Sequence, residues 1–310
     1  MTTPHILMIG TASIDLVFHV KQFPTRAEKY RADSVEAVGG GGAANAAVGV
    51  ARLGGKASVA ARLGNDETAD AIEQGLKREN VRLDFLQRFQ DCQSSTSAVL
   101  IDPHGERLVV NYRDVALPSD ATWLTRMLDE STFEALLADT RWPEGAFAGM
   151  HHARERGLPG IIDAEAPIEG SEEALRLASH VVFSAQGLRD FHRADPNETD
   201  IEGLLRRTDC GDGIVGVTDG VEGVRWMEGG TVHHLRPPTI RQSVTDTLGA
   251  GDIWHGALAL ALAEAQGLSD AMRLANAAAT LKCVGASGRN GAPRRAEVEQ
   301  LLRANDEGPS

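Results

Sequence analysis

A mainly parallel α/β sheet with helices on both faces, carrying a small β-layer as a lid, is the fold class this 310-residue sequence predicts. Three observations carry that prediction. From about residue 120 onward, short apolar runs of strand length alternate with helical segments. Two earlier segments break that rhythm and read as paired strands outside the main sheet. Two Gly-rich turns, Gly39–Gly42 and Gly249–Gly251, run straight into helices.

Ile6–Gly10 reads as a buried first strand. Leu16–Val20 is a second extended segment, followed by Phe23-Pro24 and a polar stretch through Asp33. Gly39-Gly40-Gly41-Gly42 then opens an Ala-rich helix over 43–53. A flexible linker is the alternative for four glycines, but linkers seldom run into an amphipathic helix. A strand follows over 57–62 and a helix over 67–79. Ser97–Ile101 and Arg107–Tyr112 flank Asp102-Pro103-His104-Gly105, which predicts a hairpin. Strands are expected at 136–139, 160–163, 181–184 and 214–218, with helices near 122–128, 147–156, 172–177 and 201–206. The last third reads as helical over 252–266, 270–283 and 295–303. The whole chain reads as one domain, 1–310, with lid segments at about 15–36 and 97–113. Ligands of open α/β sheets bind beyond the carboxyl ends of the strands, where such a lid closes.

A net charge of −13 argues against nucleic acid or an anionic membrane as the main partner. The longest apolar runs are too short to span a bilayer, and the first residues carry no secretory pattern. Three scattered cysteines, Cys92, Cys210 and Cys283, point to free thiols in a reducing cytosol. The expected location is therefore cytoplasmic.

The most informative stretch is Asp246-Thr247-Leu248-Gly249-Ala250-Gly251-Asp252. A turn with almost no side chains lets backbone N–H groups approach an anion, and a helix start adds orphan donors. Asp252 at that start is either an N-cap or a general base. Together the features fit phosphoryl transfer, with the turn holding charge on the transferred group and Asp252 taking a hydroxyl proton.

These residues resemble the second signature of the ribokinase-like (PfkB-type) carbohydrate kinases. Gly39–Gly42 with Asn45 resembles the first, and Val217-Thr218-Asp219-Gly220-Val221-Glu222-Gly223 resembles the nucleotide-phosphate loop. The resemblance covers nearly the whole chain and implies a three-layer ribokinase-like sandwich with a β-sheet lid. It implies Asp252 as base and Gly249, Ala250 and Gly251 as anion hole. Asp15, Asn45, Gly40 and Gly41 would bind sugar hydroxyls, and Thr218, Gly220 and Gly223 would line the ATP phosphates beside Gly251. Asn276 would wall the adenine and Gly288–Pro293 would close that pocket. Two of these have plain alternatives, Asn276 as a satisfied core amide and Asp15 as a turn cap. ATP and Mg²⁺ are the implied cofactors, and a homodimer through the lid is the implied assembly. Many members carry Asn-x-x-Glu where this chain has Ser184-Ala185-Gln186-Gly187, so no protein metal ligand is assigned.

One branch, the 6-deoxy-6-sulfofructose kinases, is closest in Glu28-Lys29-Tyr30, Asn111-Tyr112, Ala138–Trp142, Phe183-Ser184 and Leu281-Lys282-Cys283. By that resemblance Lys29, Asn111 and Arg141 grip a sulfonate, and the C1 hydroxyl is phosphorylated to give 6-deoxy-6-sulfofructose 1-phosphate. The alternative for each of the three is an ordinary surface residue. A kinase for fructose 6-phosphate, tagatose 6-phosphate or a neutral ketose stays open, as does a non-catalytic sugar-binding regulator. A dinucleotide oxidoreductase does not fit, because neither glycine run matches that fingerprint.

Overall fold

Strand β1 (His5–Ile9) sends Ile6 and Met8 to one face and Leu7 and Ile9 to the other, and all four are fully buried. A strand apolar on both sides belongs inside a sheet covered twice. The computed structural model, which describes residues 3–104 and 106–306, places it there.

In chain order β1 is followed by β2 (Ser13–His19), β3 (Ser34–Gly40), α1 (Gly42–Arg52), β4 (Lys56–Gly64), α2 (Glu67–Arg78) and β5 (Leu86–Phe89). Next come β6 (Ser95–Ile101), β7 (Arg107–Tyr112), α3 (Thr122–Asp129), β8 (Ala135–Asp139), α4 (Pro143–Arg156), β9 (Gly160–Ala164) and α5 (Glu172–Leu177). Then follow β10 (His180–Ser184), α6 (Ala185–Phe191), α7 (Ile201–Arg206), β11 (Ile214–Thr218), β12 (Val224–Glu228) and β13 (Thr231–Leu235). The chain closes with α8 (Ala250–Ala263), α9 (Leu268–Cys283) and α10 (Arg295–Asp306).

Nine strands form the main sheet in the order β13-β12-β11-β10-β9-β8-β1-β4-β5. All pair in parallel except β11–β12 and β12–β13. Helices α1, α8 and α9 pack on the face of Ile6 and Met8, and α3, α4 and α7 on the face of Leu7 and Ile9. The second sheet, β3-β2-β6-β7, is the lid. Its inner face is a small apolar cluster of Val17, Val38, Val99 and Ile101.

The sequence reading misses β3, β5, β12, β13 and α6, and starts α4 and α8 too late. Strand β3 is missed because four of its seven residues, Ser34–Ala37, are exposed, so no buried alternation marks it. Strands β12 and β13 form an edge hairpin around Gly229-Gly230. The four-glycine run is no linker. Gly39 and Gly40 end β3, Gly41 caps α1, and Gly42 is its first residue.

Small residues bring α1 and α8 into contact. A Cβ added at Gly256 would lie 2.6 Å from the Ala46 carbonyl oxygen, and one at Gly49 3.0 Å from Ile253. Among the described residues no helix is long and apolar enough to cross a membrane. All three cysteines are free, and burial pushes the Cys210 thiol up to about 12, which makes it inert.

Candidate active site

The parallel strands β1, β8, β9, β10 and β11 end at one edge of the main sheet, and the lid faces that edge across a cleft of about 590 Å³. The strand ends supply its floor: Thr11 after β1, Asp139 in β8, Asp163 in β9, Ser184 in β10 and Thr218 in β11.

The anion-hole turn sits beside this floor. Gly249 caps α8 with φ 78°, in the left-handed region that favours glycine. Ala250 N donates to Thr247 O and Ile253 N to Gly249 O, which leaves the amides of Gly251 and Asp252 as the unpaired donors of a first helical turn. A Cβ at Gly251 would touch nothing, so the backbone there opens on the cleft. Asp252 stands within the first turn of α8, and Gly249 takes the cap position, so the N-cap alternative is excluded.

Asp252 is held by one hydrogen bond. Asn45 Nδ2 donates to its Oδ2 at 2.7 Å, a contact made possible by the close packing of α1 on α8. Burial pushes the carboxyl up to about 7; the Asn45 bond opposes this, and Glu165, Asp139 and Asp15 reinforce it. Asn45 is buried, and its Oδ1 has no partner. That leaves a dry, unpaired acceptor beside the Asp252 carboxyl. Gly42 is squeezed between two acids. A Cβ there would lie 3.1 Å from Asp139 Oδ2 and 3.6 Å from Asp252 Oδ1.

Asp139 organises the floor. Its Oδ2 accepts from the amides of Thr11 (2.8 Å) and Ala43 (3.3 Å), and its Oδ1 from that of Arg141 (2.9 Å). Asp163 is its register partner on β9 and is raised well above the ordinary carboxylate range by burial, then by Asp252, Glu165 and Asp139. Burial drives His255, one turn beyond Gly251, down to about 4, so its ring is neutral between the carbonyls of Gly251 (2.8 Å) and Val182 (3.2 Å). Sequence reasoning did not assign Asp139, Asp163, Glu165 or His255. The available signal was an acid at the carboxyl end of two predicted parallel strands.

The lid contributes Asp15 and Asn111. Asp15 is buried on β2, where burial raises its carboxyl and hydrogen bonds from Ser97 and Ser13 partly offset the rise. A Cβ at Gly40 would overlap the Asp15 carboxylate, which is why the chain has glycine there. Asn111 on β7 and Arg141 after β8 both line the cleft, and Arg141 Nη2 lies 3.1 Å from Glu165 Oε2. Lys29 is exposed and is not among the cleft-lining residues. Its loop folds on itself: Asp33 N donates to His19 O, and Tyr30 Oη accepts from the amides of Thr25 and Arg26.

On the nucleotide side, Thr218 and Gly251 line the cleft, whereas Gly220, Gly223 and Asn276 do not. Gly220 opens the 3₁₀ turn after β11 and Gly223 caps it, both with positive φ. The side chain of Asn276 is spoken for. Its Oδ1 accepts from Trp254 Nε1 at 2.8 Å and its Nδ2 donates to Leu235 O at 3.0 Å, which is the satisfied core amide named above as the alternative.

The profile of the pfkB family carbohydrate kinases matches residues 3–295. The chain belongs to that family. It is 27% identical to the ribokinase of Bacillus subtilis (strain 168), over 96% of this chain and 99% of that protein. A crystal structure from Agrobacterium tumefaciens, provisionally described as a ribokinase, is 33% identical and superimposes with a TM-score of 0.91 over 99% of this chain and 100% of that one. The Arabidopsis thaliana ribokinase solved with ribose and ATP shares the fold, with a TM-score of 0.83 at 21% identity over 97% of this chain and 99% of that one. The architecture is therefore the ribokinase-like α/β fold with a separate lid sheet.

Proposed function

We propose that this pfkB-family chain transfers the γ-phosphoryl group of ATP to a hydroxyl of a small sugar, with Asp252 as general base. The observation that carries the reading is Asp252 itself. It is a carboxyl raised to about 7 at the mouth of an anion-hole turn, with the unpartnered Asn45 Oδ1 alongside. A base of that pKa takes a proton near neutral pH as the hydroxyl attacks. The amides of Gly251 and Asp252 face the charge that develops on the transferred phosphoryl group. Asp15 and the backbone of Gly40 and Gly41 orient the sugar, and closure of the lid excludes water.

Thr218, Gly220, Gly223 and Gly251 are the residues proposed to border the ATP phosphates. Asn276, whose side chain ties α9 to Trp254 and Leu235, is proposed to border the adenine pocket through that framework. Mg²⁺ bound with the nucleotide would neutralise phosphate charge. Asp163 and Glu165, which line the cleft, are the acids that would face its waters.

For the sugar, the proposed substrate is 6-deoxy-6-sulfofructose, phosphorylated at C1, with Asn111 and Arg141 on the sulfonate. Two cleft residues of suitable chemistry support it. A neutral sugar is the second reading, favoured by the Arg141–Glu165 pair, which already answers the cation, and by Lys29 standing outside the cleft. ADP formation measured with sulfofructose, fructose 6-phosphate, fructose and ribose separates these readings. Strong preference for the sulfosugar supports the first, and equal or better turnover of ribose or fructose overturns it. A homodimer through the lid is also proposed. Val35, Leu108, Val110 and Tyr112 are exposed on its edge strands, which an apposed lid would cover.

A further inference from the structure

Three arginines meet where the lid joins the body. Arg62 comes from β4, Arg113 from the residue after β7, and Arg141 from the loop after β8. With Ser95 at the start of β6 and the turn Gly10-Thr11-Ala12, they line a pocket of about 10 Å³. Thr11, Ser95, Arg113 and Arg141 also line the cleft, so the pocket is an alcove of it.

This cluster is short of negative charge. Arg141 has Glu165 at 3.1 Å, but among the described residues neither Arg62 nor Arg113 is in an ion pair with a carboxylate. Asp139 acts on both, yet its carboxylate already accepts from the amides of Thr11, Ala43 and Arg141. Partial burial lowers both guanidiniums from their ordinary value. Glu144 and Asp139 offset this for Arg62, and Asp139 for Arg113, while Arg113 further lowers Arg62 and Arg141 further lowers Arg113. Hydrogen bonds are equally sparse. A guanidinium carries five N–H donors. Arg62 Nη1 donates to Pro118 O at 2.9 Å while its Cζ lies 4.7 Å over the Trp142 ring, and Arg113 Nη1 donates to Arg141 O at 3.3 Å. Neither side chain makes a second hydrogen bond among the described residues.

Like charges gathered with their donors unspent cost free energy that an anion between them would offset. A pocket of this size just admits one water-sized occupant, which suits a halide or a single oxygen of a larger anion. Guanidinium groups bind such oxygens strongly.

We propose that Arg62, Arg113 and Arg141, with Ser95, form an anion seat that latches the lid to the body. Ser95 and Arg113 are carried by the lid strands, Arg62 and Arg141 by the main sheet, so one anion bridges the two parts. The occupant is compact and singly charged, and it has two sources: a free halide, or an oxygen of the substrate's own anionic tail. The second source rests on the sugar-kinase reading and makes Arg113 a specificity residue where the exposed Lys29 is not.

The test uses the full chain, native and as Arg113→Gln and Arg62→Met. Arg113 is exposed overall, so glutamine spares the fold, and methionine keeps an unbranched stem over Trp142. Thermal unfolding is followed as sodium chloride, sodium bromide or sodium methanesulfonate is titrated into a low-salt buffer. At about ten times its Kd a bound anion multiplies the folding constant about tenfold, which should raise the native unfolding temperature by about 2–4 °C. Both variants should lack that rise. In low salt Arg113→Gln should unfold no earlier than the native protein, because a repelling charge has gone. Titration calorimetry with 6-deoxy-6-sulfofructose and with fructose separates the sources. If the tail takes the seat, chloride weakens binding of the sulfosugar alone, and Arg113→Gln lowers that affinity about tenfold. If a halide takes it, chloride leaves the sulfosugar affinity unchanged or raises that of both sugars. Native protein and both variants shifting alike with every salt, and binding the sulfosugar equally, would overturn the proposal. If the native protein binds neither sugar, the sugar-kinase reading fails, and the unfolding curves still decide whether the seat holds an anion.

Discussion

Asp252 and Asn111 line the same cleft and are held in opposite ways. Asp252 sits on α8, which is apolar on nearly every side and wedged against α1 through glycine and alanine. Asn111 sits on β7, an edge strand of the lid whose six residues are all exposed. The proposed base is fixed by the body of the protein, while Asn111, proposed to face the sugar, rides on a sheet with a core of four buried side chains. Chemistry is built where atoms cannot move, and recognition where they can.

The largest expected effect lies on the rigid side. Asp252→Asn should lower kcat by about 10²–10⁴-fold, the usual contribution of a positioned base, with nucleotide affinity unchanged by titration calorimetry. Unchanged turnover would remove Asp252 from the chemistry and with it the contrast drawn here. On the sugar side of the cleft the effect should fall on binding. Arg141→Ala should raise the KM for an anionic sugar about tenfold, in line with a lost charge-assisted hydrogen bond of ~1.5 kcal/mol or more, and leave that for ATP unchanged. Equal rises for both substrates would mean that Arg141 serves the floor through Asp139 and not the sugar.

Gly256→Ala probes the wedge. The new Cβ would meet the Ala46 carbonyl, so α1 must retreat, at a cost of about 1–3 kcal/mol by urea unfolding. If the rigid wedge aims the base, kcat should fall in the same variant. A loss of stability with normal kcat would show that Asn45 and Asp252 tolerate the shift.

The smallest effect is a shift along the pH axis. Asp252 must be ionised to act, and its carboxyl lies at about 7, so kcat/KM should rise with pH and level off above neutrality. Its bond from Asn45 favours the ionised form, so Asn45→Ala should move that rise to higher pH, and a move to lower pH would contradict the assignment. The same carboxyl shapes stability. Its folded pKa is above its ordinary value of 3.8, so the folded state keeps the proton longer. The stability it contributes is complete below about pH 4 and is lost as pH rises to about 7.

The contrast also explains what could be read from the sequence. The proposed anion hole and base occupy consecutive positions, so the local pattern Gly249–Asp252 announces them. Asp139 and Asp163 lie on different strands and meet only through the register of β8 with β9, which no local pattern contains. Asn276 is assigned to adenine only by resemblance to the family, and its hydrogen-bond partners, Trp254 and Leu235, come from other elements that no local pattern shows. Lys29 was placed by likeness of its neighbours, and the loop carrying it closes on itself through Tyr30 and Asp33. The lid strand β3 escaped notice because an exposed strand carries no alternation of buried and exposed side chains.

The lid is stitched from distant parts of the chain. Strand β2 pairs in parallel with β6, Ser13 opposite Ser95, so α1, β4, α2 and β5 all intervene between the two partners. Such a pairing closes a long loop before it gains any contact, and long-range pairings of this kind form slowly. The lid sheet can therefore complete itself only after the intervening layer has brought its two ends together. During synthesis or refolding, ability to enclose a sugar should be among the last properties to arrive, and a chain stalled with its body half-built would have no lid to shut.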